Sequence, residues 1–142
     1  MMALPPAAAP GTSVSMSWMQ LLFSFAGRIS PRRFWLYQIV LMLVSIAVVL
    51  LSPQPELEYG MGWRELYRAG MAATPWWHWP LMLAMLYTGL AVATKRWHDQ
   101  DRSGWWHLLL LLFPIGPLAM VVMLGFLPGT DGPNRYGVPP LD

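Results

Sequence analysis

The apolar and polar positions of this chain fall into long blocks. Phe34 to Leu51 is 18 residues without a charged side chain. A helix rising ~1.5 Å per residue covers roughly 27 Å over that length, close to the ~30 Å hydrocarbon core of a bilayer. Ser30 suits an N-cap, Pro31 suits the first helical position, and Ser52, Pro53 and Pro55 close the segment. Trp105 to Leu127 is 23 uncharged residues, with Ser103 placed to cap its start and Pro128-Gly129 ending it. Pro114 and Pro117 remove backbone donors near its middle and predict a kinked spanning helix. The competing expectation is a re-entrant hairpin, since each half holds only about ten residues and unwound backbone is tolerated at depth where protein surrounds it. Between these blocks, Trp76 to Ala93 carries no Asp, Glu, Lys or Arg, and the flanking residues to Trp97 bring it to spanning length.

Two shorter pieces flank the spans. In Met61–Met71, Trp63, Leu66, Tyr67, Gly70 and Met71 share one helical face, with Arg64, Glu65 and Arg68 off it. That spacing fits a helix lying on a membrane surface. Ser17 to Phe25 is strongly apolar and too short to cross. The expected organisation is a disordered Ala/Pro-rich tail at 1–13 and a single membrane domain at 14–139. Its spans lie near 34–51, 76–97 and 105–127, with interfacial helices near 17–26 and 61–71 and a turn-rich tail at 128–142. The fold class is an all-α membrane protein of three transmembrane helices, the third kinked at Pro114 and Pro117.

Composition agrees. Apolar residues make up 56% of the 142 and charged residues 11%, against about 25% charged in soluble domains. A soluble chain of this length has too little interior to hide so much apolar surface. With no cysteine, disulfides and thiolate chemistry are excluded. A net charge of +2 argues against a nucleic-acid partner. The distribution of charge is more informative than its sum. Arg28, Arg32, Arg33, Lys95, Arg96 and Arg102 fall on one side of a three-span topology, and Arg64, Arg68 and Arg135 on the other. The positive-inside bias then predicts a cytoplasmic N-terminus and a periplasmic C-terminus. A re-entrant third segment would return the tail to the cytoplasm. Trp35, Trp76, Trp77, Trp79, Trp97, Trp105 and Trp106 stand at the predicted segment ends, as expected of indole anchors at the headgroup level.

Three stretches combine into a signature: Gly27-Arg28-Ile29-Ser30-Pro31-Arg32-Arg33-Phe34-Trp35, Arg96-Trp97-His98-Asp99-Gln100-Asp101-Arg102-Ser103-Gly104-Trp105-Trp106 and Pro128-Gly129-Thr130-Asp131-Gly132-Pro133-Asn134-Arg135-Tyr136-Gly137. In this order around the apolar blocks, the chain resembles the YhaH-like family of small bacterial inner-membrane proteins, a domain of unknown function (number eight hundred and five). The resemblance covers about residues 18–139. It implies a multi-span bacterial inner-membrane protein and carries no activity with it. Trp97 departs from the family's usual aliphatic residue, and Pro31 from its usual non-proline.

The densest polar site is Arg28, Arg32, Arg33, Arg96, His98, Asp99, Asp101 and Arg102, with Lys95 beside it. Its leading reading is an interfacial salt-bridge network in which Asp99 or Asp101 pairs with Arg28 or Arg33. A lipid-headgroup or anion site follows, since clustered guanidinium groups suit phosphate. Catalysis or metal binding by His98 with Asp99 and Asp101 lacks a second histidine ligand. No catalytic residue, metal or cofactor is therefore expected. The spans hold no charge, which argues against an ion-coupled pump. The expected role is a non-enzymatic accessory or assembly subunit, partnered by membrane lipids and by other membrane subunits or further copies of itself. The alternatives are an oligomeric transport component, and an enzyme or ligand sensor using the His98 loop.

Overall fold

A computed structural model describes residues 16–55 and 59–141. The expected disordered tail at 1–13 lies outside the described residues. The described chain is helical, with no strand among those residues. It comprises α1 (Trp18–Phe23), α2 (Pro31–Leu51), α3 (Trp63–Ala73), α4 (His78–Asp99), a 3₁₀ helix (Gly104–Leu111) and α5 (Ile115–Gly125).

The starts are set by local chemistry. Ser17 and Gln20 form a reciprocal capping box at α1, so two backbone N–H groups without helical acceptors are satisfied at once. The Ser30 hydroxyl accepts from the Arg33 N–H and Pro31 occupies the first turn of α2. At α3 the Glu65 carboxylate accepts from the Gly62 N–H at 3.1 Å. α4 ends with Asp101 in the left-handed region at φ +55°. There the Arg102 N–H reaches Trp97 O at 2.9 Å and the Asp101 N–H reaches His98 O at 3.0 Å, the paired bonds of a Schellman end.

α2 and α4 run antiparallel. The Tyr37 and Thr88 hydroxyls bond at 2.7 Å, and Ser52 lies 3.5 Å from His78 Nδ1 at the far end. α1 lies along α4 from its middle toward its end, with Tyr87 donating to Phe23 O at 3.0 Å and Lys95 to Leu21 O at 2.7 Å. Among the described residues α2 is the helix both long and apolar enough to cross a membrane. Its outward side chains, including Leu36, Ile39, Leu43, Ile46 and Leu50, are exposed. The buried core is small and gathered at one end: Leu21, Ile29, Phe34, Val92, Trp97, Met120 and Leu124.

The expected third span is corrected by the structure. Residues 104–125 form a hairpin, not one kinked helix. Eight residues of 3₁₀ helix and eleven of α helix each reach only about 16 Å. Both ends of the hairpin sit at the last turn of α4. Arg96 Nε donates to Leu124 O at 2.8 Å, and the Thr130 N–H donates to Asp99 O at 2.8 Å. Trp35 Nε1 bonds Gly125 O at 3.0 Å on the α2 side. Gly116 permits the reversal, because a Cβ there would run into the Leu109 carbonyl. The C-terminal tail therefore lies at the same end of the bundle as Arg28, and the expectation of a tail opposite the N-terminal arginines is overturned. Sequence reading had no means to see that residues 128–137 dock on Asp99.

Candidate functional site

The polar residues singled out by the sequence divide into a buried cluster and a half-exposed fringe. At the centre stands Asp99, on the last turn of α4 and almost wholly enclosed. Its Oδ1 accepts from Arg28 Nε at 3.0 Å, and its Oδ2 accepts from Arg96 Nη1. Arg28 precedes α2, and Arg96 sits one turn before Asp99 on the same face of α4, the spacing at which helical side chains meet. The structure thus selects the Arg28–Asp99 pair from the combinations the sequence left open.

The two guanidinium groups carry more charge than one carboxylate neutralises, and main-chain carbonyls take the remainder. Arg28 Nη1 reaches Gly132 O at 2.7 Å and Gly137 O at 3.3 Å. Its Nη2 reaches Thr130 O at 2.7 Å and Asp99 O at 3.5 Å. A guanidinium offers five N–H donors, and all five of Arg28's are directed at the chain itself. Arg96 bonds Leu124 O at 2.8 Å and also Leu127 O. Carbonyls at a helix C-terminus lack helical partners and carry partial negative charge, so Arg96 caps α5 while holding Asp99. Lys95, also fully buried, donates to Leu21 O at 2.7 Å and ties α1 to α4.

The tail completes the enclosure. Thr130 donates through N–H and hydroxyl to Asp99 O at 2.8 and 3.0 Å. Asn134 Nδ2 donates to His98 O and to the Thr130 hydroxyl, each at 2.9 Å. A Cβ on Gly129 would collide with the Asp99 carboxylate. From sequence, Thr130 and Asn134 belong to a turn-rich tail, in which Asp131 and Asn134 fall short of a complete calcium ligand set. Their signal lay in the PGTDGPN run, which supplies the close approach and bared carbonyls that a buried guanidinium needs.

His98 is half-buried. Its Nδ1–H donates to Gly27 O at 3.3 Å, and its ring stacks on Tyr136 with centroids 3.8 Å apart. Burial holds the imidazole below its ordinary value; Arg135 and Lys95 add to this, and the Gly27 bond opposes it. Asp101 pairs with Arg135 at 3.1 Å on the surface. Arg102 lies over the Trp106 ring at 4.8 Å. Arg32 is exposed and Arg33 half-buried, and neither joins the Asp99 cluster.

The tryptophans also divide. Trp76, Trp79, Trp105 and Trp106 are exposed, and Trp77 is half-buried against His78. Trp97 is fully buried, which corrects its reading as a headgroup anchor: it fills the core beneath the charge cluster. Trp35 is half-buried and packs on α5 with its N–H committed to Gly125.

The family model described as "Protein of unknown function (DUF805)" matches residues 22–138. The chain is 30% identical to the Inner membrane protein YhaH of Escherichia coli K12 over 124 residues, 82% of this chain and 86% of that protein. It is 32% identical to the Inner membrane protein YhaI of the same strain over 127 residues, 88% of this chain and 92% of that protein. The Uncharacterized protein YiiR of that strain is 29% identical over 146 residues, 86% of this chain and 89% of that protein. No solved structure matches the chain. The chain belongs to the DUF805 family, and its relatives YhaH and YhaI are inner-membrane proteins.

Proposed function

From that membership we propose that this chain is a non-catalytic accessory or assembly subunit of the bacterial inner membrane. α2 and α4 cross the bilayer, α4 up to the level of Trp97. The 104–125 hairpin enters from the side of the charge cluster and returns to it. Seven of the nine Lys and Arg residues (Arg28, Arg32, Arg33, Lys95, Arg96, Arg102 and Arg135) then lie at the cluster end, leaving Arg64 and Arg68 at the other. By the positive-inside bias that end is cytoplasmic, with α3 on the periplasmic surface.

One observation carries the non-catalytic reading: the buried charges are consumed by the chain. Arg28 has no donor left for a substrate phosphate, both Asp99 oxygens hold guanidinium groups, and His98 is fixed by Gly27 and Tyr136. Such a cluster is a clasp joining the start of α2, the end of α4 and the tail. Partner contact falls to the exposed apolar flanks of α2 and the hairpin, where Leu111, Phe113 and Ile115 stand out. In lipid, close packing rather than apolar burial decides association between such surfaces.

The test is a mild-detergent pull-down from native membranes with identification of what co-purifies. A stoichiometric larger membrane complex is the expected result. Purification alone, with solute conduction in liposomes, would replace this reading by the transport one.

A further inference from the structure

A second feature stands apart from the charge cluster. Between α1, α2 and α4 lies an apolar groove of about 770 Å³, within the roughly 300–1,000 Å³ range of ligand cavities. Its floor is one stripe of α2 running from Arg33 through Leu36, Val40 and Val44. Trp18 and Leu22 wall one side, and Met85 and Thr88 the other. The Thr88 and Tyr37 hydroxyls satisfy each other at 2.7 Å, so the interior makes no demand on a polar ligand. Arg33 is the one charged lining residue and stands at the end nearest the charge cluster. Among the described residues its guanidinium forms no ion pair and donates no hydrogen bond, unlike Arg28 and Arg96. Arg32 stands beside it, and the first turn of α2 holds no acidic residue.

The dimensions suggest the occupant. From Arg33 to Val44 is eleven residues, about 16 Å along the helix at ~1.5 Å each, close to half of the ~30 Å hydrocarbon core. The groove is thus one leaflet deep, walled on three sides and cationic at its mouth. We infer that it retains one anionic glycerophospholipid of the cytoplasmic leaflet, with an acyl chain in the groove and the phosphate on Arg33. The phosphate suits bidentate guanidinium bonding. This rests on the two-crossing arrangement above, which sets the Arg33 end at the headgroup level.

The test is native mass spectrometry of the full chain in mild detergent. Delipidated protein is titrated with phosphatidylglycerol or with phosphatidylcholine of the same acyl chains. One phosphatidylglycerol per chain is expected, preferred by roughly tenfold, because both lipids offer the phosphate but the choline ammonium sets a further cation beside Arg32 and Arg33. Arg33→Gln should bring the two lipids within about twofold of each other, while Arg64→Gln at the opposite end leaves the preference intact. Val40→Trp, which fills the groove, should lose both lipids. Soluble glycerol phosphate should not compete. Equal retention of both lipids by the unaltered chain, an unchanged preference in Arg33→Gln, or full competition by glycerol phosphate would overturn the inference. So would retention that begins only once residues 2–13 are removed, since the chain's own N-terminal segment would then be the occupant. Recovery of a folded monomer from detergent-free buffer would instead overturn the membrane arrangement itself.

Discussion

At the scale of single residues, the molecule turns on Asp99. It is enclosed with two guanidinium partners, and removing one member of a buried pair costs about 3–5 kcal/mol because the others are left uncompensated. Asp99→Ala should therefore lower the unfolding midpoint in mild detergent severely. Asp101→Asn, which uncharges a pair whose side chains are 45–60% exposed and keeps a residue suited to the left-handed turn, should cost no more than about 1 kcal/mol. Comparable losses from the two would refute the clasp. His98 gives a pH dependence whose sign follows from its environment. Burial disfavours the imidazolium in the folded chain. Below the ordinary value of about 6.5 the unfolded chain binds a proton that the folded one resists. Stability is then fully present above that value and falls as pH drops through and below it. Unfolding midpoints at pH 7.5 and 5.5 should differ more for the unaltered chain than for His98→Gln. Sequence reached part of this site. It confined the pairing to Asp99 or Asp101 with Arg28 or Arg33, because charges that flank apolar blocks on one side must share a face. Choosing among them required the partners from 130–137, which are about a hundred residues from Arg28 and leave no local pattern.

At the scale of elements, legibility followed how much of each element's chemistry is local. α2 was readable because Ser30-Pro31 sets its start, Ser52 its end, and no charge follows Arg33 before that end; the observed helix is Pro31–Leu51. α4 was readable within two residues at each end, as was α3. The 105–127 block was ambiguous because hydropathy measures only the preference for lipid, and a span and a hairpin share it. Its direction is decided by Arg96 drawing the carbonyls of Leu124 and Leu127 back to α4, and by Gly116 admitting the turn. Gly116→Ala should therefore disrupt the hairpin, since the added methyl meets backbone and not a movable side chain. Gly125→Ala, whose Cβ would lie 2.6 Å from the Trp35 ring, should be milder because an indole can shift. Protease or hydrogen-exchange protection of residues 104–127 would rank the two, and equal protection would argue against the hairpin packing.

At the scale of the whole molecule, the hairpin converts a question of packing into one of sidedness. The chain has no cysteine, so single introduced thiols report without background. Arg64→Cys should react with an impermeant maleimide added to intact spheroplasts, and Leu141→Cys only after the membrane is opened. Labelling of both from outside would restore a third crossing. The clasp also imposes an order on biogenesis. Arg28 leaves the ribosome early, yet its carbonyl partners at Thr130, Gly132 and Gly137 are the product of a much later stage of translation. Until then α2 and α4 have only contacts of their own, such as the Tyr37–Thr88 bond, and the arginine stays hydrated. Closure waits for the final turns of the tail, so in the two-crossing arrangement proposed above a nascent chain stalled before residue 130 is inserted yet unfastened.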